Sequence, residues 1–401
     1  MVYELKKFNR NSAVVILLIL SITLSVAMPL IFIKEYVNYE YTTGKEQCVN
    51  GIKGLELRKR QIERVEGEIS ITELNEALTY YKSFASGDEA YAATEEKYPG
   101  FILILREAYA DYATENDFVI SDIKDADDFY TRGIPKIQSK IKAIGEESFS
   151  FQEKEKALKR VKKIEYPYNY RFVEQWGILF KSLIFINSLI AFNAIIISNL
   201  LFSCEREKEM DLLLISIGKK RLFRIAYQKL YAMIGYLIAQ FLICNAITSG
   251  IVFGALGISG WDSQLQIMPD FYTTLNNWTF GETYLWYLLI SMLSIIAVAS
   301  FCACVNAVAQ KTYVSLMVSG ILVLFPISVA NISWMPVQIS KILKVHPING
   351  INLLEYINSL HSYKIGFWYF SESAMLIMLS AIGILLFGVL SPAIYTKKLI
   401  E

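Results

Sequence analysis

Long uncharged apolar stretches alternate with charged blocks along this chain. A helix that spans a bilayer needs about 20 mostly apolar residues. Lys181 and Lys229 fall near the ends of such stretches, where we expect their ammonium groups to extend to the membrane interface. Six stretches qualify, at roughly 13–33, 177–203, 226–257, 284–309, 312–332 and 373–394. The pattern predicts an all-α polytopic membrane protein with six transmembrane helices.

The first apolar stretch has the flanks of an uncleaved span. Basic residues precede it at Lys6, Lys7 and Arg10, but 13–33 is longer than a typical signal core, and no clear small-x-small cleavage site follows. We therefore interpret 1–12 as an interfacial segment and 13–33 as transmembrane helix 1.

Basic residues in the short loops predict the orientation. Cytoplasmic loops carry an excess of Lys and Arg. An N-terminus inside the cell places the basic N-terminal residues, the loop 204–224, Lys311, Lys397 and Lys398 all on the cytoplasmic side. We predict that the chain is a multi-pass membrane protein and that both termini are cytoplasmic.

The segment 34–175 differs in charge from the rest. The whole chain is 54% hydrophobic with a net charge of +1, yet this segment has 22 Lys and Arg against 27 Asp and Glu, a net −5, which leaves +6 elsewhere. Helical patterns occur at Glu56 to Glu68, after the capping box Ser70 and Glu73, and at Glu146 to Lys163. We predict a mainly helical extracytoplasmic domain at 34–175, inserted before a five-helix membrane domain at 176–401.

The outer loop 333–372 has apolar residues at helical spacing. Ile339, Ile342 and Leu343 form one such set, and Leu353 to Leu360 contains another. Aromatic residues flank both sets, as is typical of segments at a membrane interface. We predict one or two outer interfacial helices here.

Motifs for catalysis are missing from the sequence. The Gly-Lys pairs Gly44-Lys45 and Gly218-Lys219 lack the upstream glycine and the following Ser or Thr of a phosphate-binding loop. Two histidines exclude a His-rich metal site, and the five cysteines do not form a disulfide framework. We expect no enzyme activity, no metal, no cofactor bound by this chain and no nucleic-acid partner.

Polar residues within the predicted spans allow two interpretations. They could line a path for a polar or amphipathic substrate, or form hydrogen bonds between helices. Asn187, Asn193 and Asn199 are six residues apart and so do not share one helix face, which favours hydrogen bonding for most of them. The substrate-path candidates are Asn187, Asn193, Gln240, Asn245 and Asn306.

The charged block "CEREKEMDLLLISIGKKRLFR" at 204–224 separates the second and third spans. It begins with acidic residues and ends with basic ones, which suits the dipole of a short helix, and Gly218 is a fitting stop. Such a helix presents an exposed apolar face of the kind that docks into a groove on another protein. That face consists of Met210, Leu213, Leu214 and Ile217.

The block with its continuation, "CEREKEMDLLLISIGKKRLFRIAYQKL", resembles the cytoplasmic coupling segment of ABC-2-type transporter permeases. The matching features are the acidic start Glu205-Arg206-Glu207, the Leu-rich helix at 212–214, the basic turn with Arg221, and Lys229. The N-terminal "YELKKFNRNSAVVILLIL" is similar to the basic interfacial helix of that family. The resemblance covers the chain outside 34–175.

This resemblance implies the permease subunit of a bacterial ABC exporter. A separate ATPase subunit would bind ATP and Mg and contact the coupling segment. A second permease copy or a related permease would complete the path, within membrane lipids. Substrates of such exporters include antimicrobial peptides, drugs and lipid-linked compounds. The implied ATPase-coupling residues are Glu205, Arg206, Glu207, Met210, Leu213, Leu214, Ile217 and Arg221.

Two alternatives stay open. Gly218 stands where the family commonly has Pro, Glu209-Met210 where it often has Gly-Thr, and a large domain follows the first span. These features resemble the mechanotransmission permeases, in which ATP hydrolysis moves an extracytoplasmic domain. A non-transporting membrane sensor or scaffold is the second alternative.

Overall fold

The computed structural model of the protein describes residues 2–42, 45–111, 120–145, 148–207, 218–330 and 335–400. Within these ranges, six helices are long and apolar enough to cross a membrane, which confirms the predicted number. They are α2 (Ser12–Glu35), α9 (Glu174–Asn199), α11 (Lys219–Leu256), α12 (Phe280–Ala309), α13 (Thr312–Val329) and α16 (Glu372–Ile400).

Shorter elements lie before, between and beyond these six. The helices are α1 (Val2–Arg10), α3 (Gly51–Ile62), α4 (Ile71–Lys82), α5 (Gly87–Lys97), α6 (Phe101–Tyr109), α7 (Gly133–Ile144), α8 (Phe151–Val161), α10 (Ser203–Arg206), α14 (Val337–Lys344) and α15 (Leu353–Ile357). The strands form three antiparallel pairs: β1 (Val37–Thr42) with β2 (Lys45–Asn50), β3 (Gly67–Glu68) with β4 (Asn169–Tyr170), and β5 (Ser362–Ile365) with β6 (Trp368–Ser371).

Helices α9 and α12 form the centre of the bundle. α12 packs against α9, α13 and α16, while α9 also packs against α2 and α11. In the most apolar part of each helix, 61% of α9 and 67% of α12 is buried, against 22% of α2, α13 and α16. Because the outer three helices expose apolar side chains over most of their surface, they are suited to contact lipid.

The chain between α2 and α9 (residues 37–173) is named the outer domain after its predicted side of the membrane. Its buried residues, among them Leu55 and Phe101, belong to one core with Trp176 of α9. The predicted capping box is confirmed, since the Ser70 hydroxyl accepts a hydrogen bond from the Glu73 amide and the Glu73 carboxylate accepts one from the Ser70 amide.

Two predicted helices of the outer domain have different bounds. The helix expected at Glu56 to Glu68 is α3, which begins at Gly51 and ends at Ile62. The chain then turns at Gly67, whose φ of 144° suits glycine, and enters β3. The helix expected at Glu146 to Lys163 is shorter, because Ser150 caps α8 at its start. Residues 146 and 147 lie outside the described residues.

The prediction of an all-α protein omitted the three strand pairs. β1 follows α2 almost at once and pairs with β2 from Val37 opposite Asn50 to Thr42 opposite Lys45. β5 and β6 form a hairpin directly before α16. Val, Tyr, Ile, Trp and Phe favour strands, but these runs are short and lie beside much longer apolar runs that dominate a hydropathy reading.

The outer domain is fastened to the loops at one end of the bundle. Arg160 donates a hydrogen bond to the Asn276 side chain at 2.7 Å, and Lys140 donates one to the Thr273 hydroxyl at 2.7 Å. Lys341 of α14 forms an ion pair with Glu153 of α8 at 2.8 Å. Burial alone would raise the pKa of Glu153, but Lys341 and the Ser150 amide lower it. The helices described within the predicted interfacial region 333–372 are α14 and α15, and a β-hairpin follows them. α14 contacts the outer domain through the Lys341–Glu153 ion pair.

Candidate functional site

The predicted coupling residues fall partly within the described structure. Met210, Leu213, Leu214 and Ile217 lie outside the described residues, together with the rest of 208–217. Glu205, Arg206, Glu207 and Arg221 flank this segment and are described.

Asn306 of α12 stabilises the break between α9 and α10. The last carbonyls of one helix and the first amides of the next lack partners within their own helices. The Asn306 Oδ1 accepts hydrogen bonds from the amides of Phe202 at 2.9 Å and Ser203 at 3.2 Å. Its Nδ2 donates to the Asn199 carbonyl at 2.7 Å. A single side chain therefore satisfies backbone groups on both sides of the break.

Glu205 lies at the centre of a charged cluster, the Glu205 cluster, formed with Lys7, Lys229 and Tyr395, in which Lys229 and Tyr395 are buried and Lys7 is partly exposed. One carboxylate oxygen accepts a hydrogen bond from the Lys7 ammonium at 2.6 Å. The other pairs with the Lys229 ammonium and lies 3.4 Å from the Tyr395 hydroxyl. The Glu205 cluster joins α1, α10, α11 and α16, and its members Lys7 and Tyr395 lie 198 and 190 residues from Glu205.

The charges of the Glu205 cluster are balanced. Glu4 pairs with Lys7 at 3.2 Å, so two carboxylates face two ammonium groups. Burial raises the pKa of Glu205, but Lys229 and Lys7 outweigh burial and hold it below the usual value. Burial likewise lowers the pKa of Lys7, and the contact with Glu205 reverses that effect and raises it. Glu205 and Lys7 are therefore both ionised at neutral pH.

Lys229 is 1% exposed, which contradicts the prediction that its ammonium group extends to the membrane interface. α11 begins at Lys219, seven residues before the predicted start at 226, so Lys229 lies about three turns inside the helix. Its ammonium lies 5.1 Å from the ring centre of Tyr395, which in turn stacks on Phe202 at 4.6 Å. The aromatic pair thus covers the cation on one side.

Arg206 and Glu207 hold the turn between α12 and α13. The Arg206 guanidinium donates a hydrogen bond to the Gln310 side chain. Gln310 has a φ of 59°, the left-handed conformation that ends α12. The Glu207 carboxylate accepts a hydrogen bond from the Thr312 amide at 2.9 Å, where a negative charge favours the start of α13. The last residue of α10 and the residue that follows it therefore connect α10 to this turn of the bundle.

Arg221 lies on the other flank, in the first turn of α11. It is exposed, and so are Lys219, Lys220 and Arg224. These four exposed cations lie in the first two turns of α11, directly after the segment 208–217 in the sequence.

The five substrate-path candidates are all buried and form hydrogen bonds between helices. Asn187 donates to the Tyr287 hydroxyl at 3.1 Å and accepts from Asn245 at 2.9 Å, which connects α9, α11 and α12. Asn193 and Gln240 both donate to the Ser21 hydroxyl, at 2.7 Å and 2.9 Å. With Asn306 at the break after α9, these contacts correspond to the hydrogen-bonding interpretation of the polar residues.

Several residues of the site had no signal of their own in the sequence. Tyr395 lies in a strongly apolar helix, and Lys7 is one of several basic residues before the first span that serve to predict orientation. Within the described ranges, no group of His, Cys, Asp and Glu is placed to hold a metal ion. Comparison of the chain with protein-family models, curated proteins and solved structures gives no match.

Proposed function

We propose that this chain is the permease subunit of an ATP-binding-cassette exporter in a bacterial plasma membrane. A separate ATPase subunit would bind ATP and Mg, contact the segment 204–224 and drive a substrate outward. The observation that carries the proposal is the attachment of this segment to the bundle, because Glu205 contacts α1, α11 and α16 while Glu207 contacts α13. The resemblance of 204–229 to ABC-2-type permeases supports the same conclusion.

This attachment suits the transmission of force. The Glu205–Lys229 pair is buried, and displacing one charge of a buried pair is costly because its partner is left unpaired. A push on 208–217 would therefore move the four helices that meet near Glu205 and Glu207 as a unit. The exposed cations Lys219, Lys220 and Arg221 offer the ATPase a surface that sets its position.

The proposed orientation follows from the two ends of the bundle. The end with the Glu205 cluster also carries both termini and the exposed basic residues of α11, so it would face the cytoplasm. The outer domain would then be extracytoplasmic. The exposed apolar faces of α2, α13 and α16 would contact lipid and a second permease copy.

One observation favours the mechanotransmission alternative. Arg58 of the outer domain forms an ion pair with Glu174 at 3.5 Å, and Glu174 is the first residue of α9. The 26 residues of α9 span about 39 Å and end at the break that leads to Glu205. A single helix thus connects the coupling segment to the outer domain, so that ATP hydrolysis could move that domain.

Copurification from the native host tests the proposal. The tagged chain is isolated in mild detergent beside a variant with 208–217 scrambled and a control with Phe367→Ser and Trp368→Ser, exposed residues of the β5–β6 hairpin. We expect an ABC ATPase with the wild type and the control, and its loss with the scrambled variant. An ATPase missing from the wild-type preparation would favour a sensor or scaffold instead.

A further inference from the structure

An apolar cleft lies between the spanning helices α12, α13 and α16. Its volume is about 400 Å³, within the range of small-molecule pockets, about 300–1,000 Å³. α12, α13 and α16 form its walls, and α14 closes its outer end with Ile342 and Leu343. Among the described residues that line it, His346 is the one whose side chain has polar atoms.

The cleft opens sideways between α13 and α16. Both helices pack against α12, but within the described ranges they hardly touch each other. Ile382 and Leu386 of α16 line the cleft and are each 50% exposed. Because these helices are apolar along the whole span, this opening faces the hydrocarbon core of a membrane. An apolar chain can enter from that side without crossing water.

The outer end of the cleft carries a cation. α14 ends with Lys344, next to the lining residues Leu343 and Val345. Lys341, one turn earlier, is paired with Glu153, whereas Lys344 has no ion pair within 4 Å among the described residues and interacts at longer range with Glu372 and His361. A lysine at the level of the membrane interface attracts phosphate groups of lipids. The charge at this end therefore complements an anionic headgroup.

His346 adds a polar contact at the same end. Its Nδ1 accepts a hydrogen bond from the Ile348 amide at 3.3 Å, so the ring proton is on Nε2. Burial lowers the pKa of His346 to about 4, which keeps the ring neutral at physiological pH. A neutral imidazole N–H is a donor of the kind that an ester carbonyl accepts.

We propose that this cleft binds a phospholipid, with one acyl chain between α13 and α16 and the phosphate at Lys344. The site depends only on the six helices spanning a membrane and is independent of any transport role. It would hold α13, whose apolar surface is mostly exposed, against the bundle. The lipid would fill the opening between α13 and α16 and contact both helices.

Two glycines of α16 provide a matched pair of variants. At Gly383, a lining residue, an added Cβ meets Ala297 at 3.8 Å, an ordinary contact, and a longer side chain would fill the cleft. At Gly388, on the same helix, nothing lies within 4 Å. Gly383→Leu therefore blocks the cleft, and Gly388→Leu makes the same change of helix composition outside it.

The experiment is native mass spectrometry of the purified, delipidated full chain titrated with phosphatidylglycerol. We expect one tightly held lipid on the wild type and on Gly388→Leu. Gly383→Leu should bind about tenfold more weakly, as expected when two or three methylene groups lose their buried contacts. Lys344→Gln should also weaken binding, while Lys364→Gln, at an exposed hairpin position, should not.

Equal lipid binding by Gly383→Leu and Gly388→Leu would overturn the proposal. A shift from dimer to monomer in Gly383→Leu, with lipid binding unchanged, would also overturn it and assign the cleft to a second copy of the chain. Weakened binding by Gly383→Leu with no effect of Lys344→Gln would retain the acyl-chain site and refute the role of Lys344.

Discussion

Glu205 and Lys229 form a buried ion pair across the segment 208–217, with Glu205 in the short helix α10 and Lys229 within the spanning helix α11. The side chains are 11% and 1% exposed, so water screens the pair very little. This pair fixes the distance between the two flanks of the segment. It is the most direct structural link between the proposed coupling segment and the spanning helices.

Replacing Lys229 with Met is expected to destabilise the protein strongly. Breaking a buried pair by removing one partner costs about 3–5 kcal/mol, because the remaining charge is left uncompensated. Lys7 offsets part of this cost, since it still contacts Glu205. The thermal unfolding midpoint in detergent measures the effect, with the exposed Lys220→Met as the control.

A double-mutant cycle separates the pair from its surroundings. Glu205→Gln with Lys229→Met should be less destabilised than the sum of the two single variants, because the double variant has no unpaired charge at this position. Strictly additive effects would contradict a direct interaction between these side chains.

Asn306→Leu is expected to weaken the junction between α9 and α10. It leaves the amides of Phe202 and Ser203 and the Asn199 carbonyl without their partner. Each unsatisfied buried backbone group costs about 1–3 kcal/mol. Hydrogen exchange at 199–207 should accelerate in Asn306→Leu and stay unchanged in Ala309→Leu at the end of α12. Unchanged exchange in Asn306→Leu would show that the junction does not depend on this side chain.

The stability of the outer domain is expected to rise with alkaline pH through Lys140. Burial, and then the neighbouring Lys136, lowers the pKa of Lys140 from 10.5 to about 8. The folded state therefore binds fewer protons than the unfolded state between these values, and stability increases from about pH 8 to about pH 10.5. Unfolding midpoints of the wild type and Lys140→Met across this range should converge as pH rises. Parallel curves would contradict the assignment.

Cys48 offers a native probe of the proposed orientation. It is exposed on β2 of the outer domain, whereas Cys244, Cys302 and Cys304 are buried. A membrane-impermeant maleimide should label intact cells at Cys48, and Cys48→Ser should abolish that labelling. When Lys220→Cys is added to the Cys48→Ser chain, the new cysteine should be labelled only after the cells are lysed. Labelling of this double variant in intact cells would show that the proposed orientation is the wrong way round.

The spanning helices could be predicted from the sequence because each contains a long uncharged run. Their starts were less predictable: α11 begins at Lys219 rather than at 226, since a helix can extend beyond the membrane core. This displacement is why Lys229 was wrongly expected at the interface. Snorkelling depends on the distance from the true helix end, which hydropathy does not give.

The Glu205 cluster could be predicted only in part. The local sequence pattern indicated Glu205, Arg206 and Glu207 as site residues. Glu205, however, contacts Lys7 and Tyr395, which lie nearly 200 residues before and after it in the sequence. Such contacts depend on how the helices pack. The apolar residues of the predicted docking face, Met210 to Ile217, lie outside the described residues, so their role remains a prediction.

Photo-crosslinking in living cells tests directly whether an ABC ATPase binds the segment 208–217. A photoreactive amino acid is placed in turn at each position from 208 to 217, with position 364 on the β5–β6 hairpin as the control. If the segment 208–217 binds the ATPase, we expect a crosslink to an ABC ATPase subunit from several of these positions, including Leu213, and none from position 364. Crosslinks from 208–217 that reach only another copy of this chain, or no protein, would contradict it.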